Sequence, residues 1–217
     1  MENSYELGRR AEELLEEGTK NCRQLAENIP ALEGTHDPEY KLVAGMMLMD
    51  STILTGEIIC ALKNESLLLS LIGLRSLLEA LINAAYIYAH PKHKGDIAWS
   101  SQVCKDYIER ANNPKLMKQR LNEESVKERA VEVGLGSQYT DAYVSFCNFS
   151  HMLGFCPKQN NPLKTQLGYQ AAFVQTVSAH FDIYQVISTH FKLKLSEEYQ
   201  QKIDAFCKQY VVDFSKQ

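Results

Sequence analysis

Between Leu67 and Ala89 the chain reads LLLSLIGLRSLLEALINAAYIYA, a run that is apolar on nearly every side of a helix. Such a helix has no polar face to offer water, so it must be surrounded by other elements. At about 1.5 Å per residue it reaches about 35 Å, the length of a whole small domain. By length it would also cross a bilayer, yet Arg75, Glu79 and Asn83 fall near its middle, where charge is costly in lipid. A buried helix in a soluble bundle explains the run better, and a membrane is not expected as a partner.

The rest of the chain supplies the surroundings. There are only 11 Gly and 6 Pro in 217 residues, so turns are few and elements long. Leu7, Ala11, Leu14, Leu15, Leu25 and Ile29 recur at helical spacing from Ser4 until Pro30 stops them. A second apolar helix is expected from Pro38 for about 25 residues, with Asn64 or Ser66 capping the next. Beyond Pro91 come a shorter helix from Asp96 to Arg110 around Trp99, a charged peripheral segment from Lys115 to Val133, and an aromatic helix from Ser137 to Leu153. A long helix from Leu167 to Phe191 and a last one opened by Ser196 and reaching Phe214 complete the set. The expectation is an all-α, single-domain helical bundle over residues 1–217, with about six to eight helices around a buried apolar central helix. Its core would join the second, third and penultimate long helices.

Composition removes several classes. With 23 Lys and Arg against 27 Asp and Glu, the net charge of −4 offers no global attraction to phosphate backbones or anionic membranes, so a nucleic-acid contact would have to be local. Cys22, Cys60, Cys104, Cys147, Cys156 and Cys207 show no CxxC pair and no zinc spacing, and most sit in apolar helical stretches. Free thiols of a cytoplasmic protein are the expectation, consistent with an acidic, amphipathic start where a signal peptide would be basic and then apolar.

The polar residues inside the central helix are what ask for a function. Arg75 and Glu79 lie one turn apart and Asn83 one turn further, so they share a stripe. Desolvating a guanidinium and a carboxylate costs several kcal/mol unless partners are present. Arg before Glu at this spacing is the less favourable order on an isolated helix, so the stripe is expected to face a neighbour. Asp50 and Glu57 on the second helix are candidates to answer Arg75. Asn148 and His151, three apart before the Gly154 loop, are others, and a histidine near carboxylates can titrate close to neutral pH. The candidate site is thus His151 as a catalytic or titrating group, with Arg75, Glu79, Asp50, Asn83 and Asn148 binding a ligand. The competing reading is a buried network that fixes helix register without chemistry.

No metal or cofactor is expected. The Glu33-x-x-His36 match falls in a loop with Gly34 and Pro38, His90 and His93 flank Pro91 where solvation is the simpler reading, and His180 and His190 do not quite share a face. GxGxxG, GxxxxGK[ST], GxSxG and HExxH are missing. Cys147, one turn before His151, puts a thiol and an imidazole on one face, with no third group to orient them. Tyr139, Tyr143, Phe146 and Phe149 are spaced for core packing more than for stacking on bases.

The stretches LLSLIGLRSLLEALINAAYIYAH and YVSFCNFSHM resemble a bacterial family known as domain of unknown function family 5677. The likeness runs from about Leu42 to Leu153, within residues 35–155, and leaves residues 1–30 and 165–217 as flanking helices. It implies an all-helical protein with an Arg-x-x-x-Glu pair in an apolar helix and a Tyr- and Ser-containing helix ending in His, here Arg75, Glu79, Tyr143, Ser150 and His151. Such proteins are distantly similar to the HEPN-type helical domains of prokaryotic defence and RNA-processing systems. Those nucleases carry Arg followed four to six residues later by His, a spacing no arginine has here.

The functional expectation is a cytoplasmic helical bundle, of defence or stress association, that binds a small anion or nucleotide-like ligand at Arg75, Glu79 and His151. One alternative is a metal-independent HEPN-like ribonuclease with His151 as base and Arg75 stabilising charge. Another is a non-catalytic oligomerisation or interaction scaffold. A homo-oligomer fits such a bundle, although no heptad seam fixes a stoichiometry. Whether the chain is an enzyme stays open at this point.

Overall fold

A computed structural model of the chain describes residues 4–31, 38–113, 124–143 and 166–210. Its regular elements are helices: α1 (Ser4–Ala31), α2 (Pro38–Lys63), α3 (Leu67–Tyr88), α4 (Ile97–Asn112), α5 (Val126–Glu132), the single turn α6 (Gly136–Gln138) continued by a π-helical turn (Tyr139–Tyr143), α7 (Gln166–His190) and α8 (Glu197–Tyr210). The chain is all-α, as the patterning predicts.

Local chemistry sets most of these ends. Pro38 opens α2, where its missing N–H costs nothing. The α2–α3 link closes with Glu65 at φ 56°, while Ser66 N–H reaches back to Ala61 C=O at 2.8 Å. That is the left-handed closure of a helix end. Asn64 was expected as a cap for α3, but its Nδ2 donates to Cys60 C=O at 2.9 Å and so finishes α2. Ser66 holds the cap position of α3 with no side-chain bond. Asp96 Oδ1 accepts from Trp99 N–H at 3.1 Å to start α4, and Ser196 Oγ accepts from Tyr199 N–H at 3.2 Å to start α8. Ser125 and Glu128 form a reciprocal capping box for α5. Helix α1 runs one residue past Pro30 instead of stopping before it.

The core joins α1, α2, α3 and α7, with α4, α5 and the π-helical turn packed on α3 and α2 and with α8 on α7 and α1. Leu48, Leu74, Leu77, Tyr86, Phe173, Ile183 and Ile187 are almost wholly buried. Each such side chain contributes about 1.5–3 kcal/mol on leaving water. From Leu81 to Tyr88 every residue of α3 is buried, which is what its even apolarity requires. Helices α2 and α3 cross closely at Gly73, where an added Cβ would lie 2.6 Å from Ile58 Cγ1. Both helices are long and apolar enough to cross a membrane, and the relevant windows are 50% and 56% buried inside the bundle.

Candidate functional site

The polar stripe of α3 meets neighbours brought from later in the chain. The π-helical turn after α6 carries Tyr143, 6% exposed, to the flank of α3. Its hydroxyl accepts from Arg75 Nη2 at 3.3 Å and donates to Glu79 Oε2 at 3.1 Å. The guanidinium carbon of Arg75 also lies 5.4 Å from the Tyr143 ring centroid, a cation–π distance. Tyr139 stacks on the Tyr143 ring, with ring centroids 5.1 Å apart and planes 21° from parallel. π-Helical turns recur at functional sites because the wider turn re-aims side chains. Here the turn sets two rings one above the other beside a half-buried arginine.

One turn further along α3, Asn83 is 9% exposed and accepts from Arg129 Nε at 3.1 Å. Arg129 is 4% exposed, and its Nη1 also donates to Glu124 C=O at 2.6 Å. Burial pushes the Arg129 guanidinium below its ordinary range, and the Glu79 charge pulls it back up. Tyr107 of α4 feels the same carboxylate: burial raises its pKa, with Asp50 and then Glu79 adding to the rise. Arg110 is held by Asp106 at 3.1 Å and adds a repulsive positive field on Arg129. Glu79 is therefore the shared anion of a set comprising Arg75, Tyr143, Tyr107 and Arg129.

Three of the sequence-named residues, Arg75, Glu79 and Asn83, do line one face toward neighbours. Asn83 answers Arg129 rather than joining Arg75. Asp50 and Glu57, expected to answer Arg75, stand exposed, and among the described residues Asp50 makes no ion pair. The physical reason is rotational: the face of α2 bearing them points outward while Met47, Leu48, Ile58 and Ile59 pack inward. Asn148 and His151, with Cys147 and Ser150, lie outside the described residues. Arg129 was missed because it sits in a charged stretch that reads as peripheral, although the Ser125-x-x-Glu128 box marks an ordered start there.

His90, expected at the surface, is 2% exposed. Its Nδ1 accepts from Lys92 N–H at 3.2 Å, which leaves the proton on Nε2 to donate to Glu132 at 2.9 Å. Its neighbour His93 stacks flat on Trp99 at 4.2 Å. His190 joins Tyr40 and the Tyr88 carbonyl in the core. His180 faces Cys22 at 3.8 Å, a buried thiol–imidazole pair. Burial pushes Cys22 up to about 12 and His180 down to about 4, so both are neutral at pH 7. A nucleophilic thiolate is thereby disfavoured at this position. Among the described residues no group of three or more His, Cys, Asp or Glu side chains is placed to hold a metal ion.

No family model, no curated protein and no solved structure matches the chain, so the geometry alone carries the functional reading.

Proposed function

We propose that the chain is a binding protein for a small anionic or nucleotide-like ligand, taken at the cluster of Arg75, Tyr143 and Glu79. The observation that supports it is the attitude of Arg75: half-buried, laid against the Tyr143 ring and bonded to its hydroxyl. A guanidinium held in this way loses little further freedom on meeting a carboxylate or phosphate, and its fork matches either in two parallel bonds. Glu79 orients the clamp through Tyr143, its charge also acts on Arg129 one turn along α3, and Tyr139 adds a flat face for a ring. His151 is the titrating group in this reading, and the resemblance to domain of unknown function family 5677 belongs to the same proposal. Inorganic phosphate and a panel of nucleoside mono- and diphosphates, tested by thermal shift, should raise the melting temperature of the wild type and not of Arg75→Met. Metal-independent cleavage of RNA by the purified protein, lost in His151→Ala, would turn binding into catalysis.

A second reading, a scaffold with a structural polar network, is favoured by one different observation. Leu42, Ile53 and Leu69 are 55%, 59% and 62% exposed on α2 and α3. Concentration-dependent mass by light scattering separates it, since a scaffold self-associates whether or not Arg75 is present.

A further inference from the structure

Helix α2 is apolar on most sides, so its sequence alone shows no seam, but exposure picks one out. Leu42, Met46 and Ile53 are exposed, Met49 between them is half-buried, and Cys60 is exposed one heptad after Ile53. The intervals of four, three and four residues are those of alternating d and a positions in a coiled coil, with Gly56 at the d position between Ile53 and Cys60. Helix α3 widens this surface. Its Leu69 and Ile72 are exposed, and the close approach of Gly73 to Leu54 and Ile58 holds the two helices together there. Single exposed apolar side chains are ordinary in folded proteins, whereas a stripe of them marks a place where something binds.

Charge beside the stripe selects the occupant. Asp50 and Glu57 are both exposed and seven residues apart, and among the described residues neither has an ion pair. Both fall at e positions of the seam, where charge chooses the partner of a coiled coil. The g positions on the opposite flank are Gly45, Thr52 and Ile59, none of them a cation. A second copy therefore fits poorly. An antiparallel pair of α2 helices sets Asp50 and Glu57 against their own copies, and a parallel pair sets them against the uncharged g positions. The same carboxylates oppose an anionic lipid surface.

We propose that the outward face of α2 docks an amphipathic helix of another protein, apolar at its own a and d positions and carrying Lys or Arg at heptad spacing along one flank. Its apolar side chains cover the stripe and its cations meet Asp50 and Glu57, the way helices are recognised on apolar surfaces. From the scaffold reading the proposal takes only the exposure of Leu42, Ile53 and Leu69, and it replaces self-association with a different partner. Arg75 takes no part.

The test uses the full chain and a fluorescein-labelled synthetic helix of about three heptads, with Leu at a and d and Lys at e and g; its twin carries Glu in place of Lys. By anisotropy the Lys peptide should bind with a Kd at or below about 100 μM, and the Glu peptide at least about tenfold more weakly. Reversing both carboxylates, Asp50→Lys with Glu57→Lys, should invert that preference. Ile53→Asp should weaken the Lys peptide about tenfold although it adds a negative charge. All three changes fall on exposed positions, so the fold does not depend on them. Stronger binding to Ile53→Asp would mark non-specific attraction and overturn the proposal. Absence of binding by the Lys peptide, equal affinity for both peptides, or an unchanged preference after the reversal would do the same. A wild-type dimer in light scattering that Ile53→Asp turns into a monomer would overturn it in favour of a second copy, and adsorption to phosphatidylcholine vesicles abolished by Ile53→Asp would do so in favour of lipid. Arg75→Met should leave peptide binding unchanged, which keeps this test separate from that of the anion-binding reading.

Discussion

Tyr143 donates its hydroxyl to Glu79 across 3.1 Å, joining positions 64 residues apart in sequence. The same oxygen accepts from Arg75, so two charges whose order on α3 is unfavourable for a direct local pair are reconciled by a third residue. A buried ion pair alone would be weak grounds for either stability or function. A half-exposed arginine oriented by an aromatic hydroxyl is a stronger basis for recognition.

Tyr143→Phe keeps the ring under Arg75 and removes only the bridging oxygen. It should destabilise the fold by about 1 kcal/mol in urea melts, the usual worth of one such bond. A double-mutant cycle with Glu79→Gln should show coupling of about 0.5 kcal/mol or more. Strict additivity would show that the two groups do not interact in solution.

Arg129→Met should behave differently, because it leaves Asn83 and the Glu124 carbonyl without their donor in a buried place. A loss of about 1.5–3 kcal/mol is expected for removing hydrogen bonds from a charged donor to buried neutral acceptors. Pairing it with Asn83→Leu should recover part of that loss in chemical denaturation. A single mutant as stable as the wild type would remove Arg129 from the supporting frame.

Two buried groups on α7 set opposite pH dependences. Burial raises Asp182 from 3.8 to about 6, with a Ser178 hydrogen bond opposing the rise. The folded state therefore holds this proton more tightly, and the stability it brings is complete below pH 3.8 and lost as pH rises through about 6. His180 is lowered from 6.5 to about 4 by burial, so its contribution is complete above pH 6.5 and lost as pH falls through about 4. Asp182→Asn should accordingly raise stability at pH 8, by on the order of 2 kcal/mol, and have little effect near pH 4. His180→Leu should flatten the acid side of the calorimetric profile. An Asp182→Asn gain that is equal at both pH values would contradict the assignment.

The sequence carried the frame well where physics is local. Even apolarity foretold that α3 would be central, and Pro38, Asp96 and Ser196 marked helix starts that the fold uses. It carried the partners poorly, because which face of α2 turns inward depends on packing: Asp50 and Glu57 share a face, but that face is outside. The Arg129–Asn83 bond arises from contacts between α3 and α5 that no spacing announces. His90 was hidden for the same reason, since its partner Glu132 lies 42 residues away.

Gly73→Ala tests the close crossing that places α3 against α2. An added methyl at 2.6 Å from Ile58 Cγ1 forces that side chain to shift. A cost of about 1–3 kcal/mol is expected, and Ile58→Val in the same chain should relieve part of it. An unchanged melting temperature would show that the crossing is looser than described.

The most direct test of the account is calorimetric titration of inorganic phosphate and of a nucleoside monophosphate into three proteins: wild type, Tyr143→Phe, and the pair Arg75→Met with Glu79→Leu. The wild type should bind with a Kd at or below about 1 mM, Tyr143→Phe about tenfold more weakly and the pair undetectably, with all three folded cooperatively. Equal affinity in the wild type and the pair, or no heat of binding for either anion in the wild type, would contradict it.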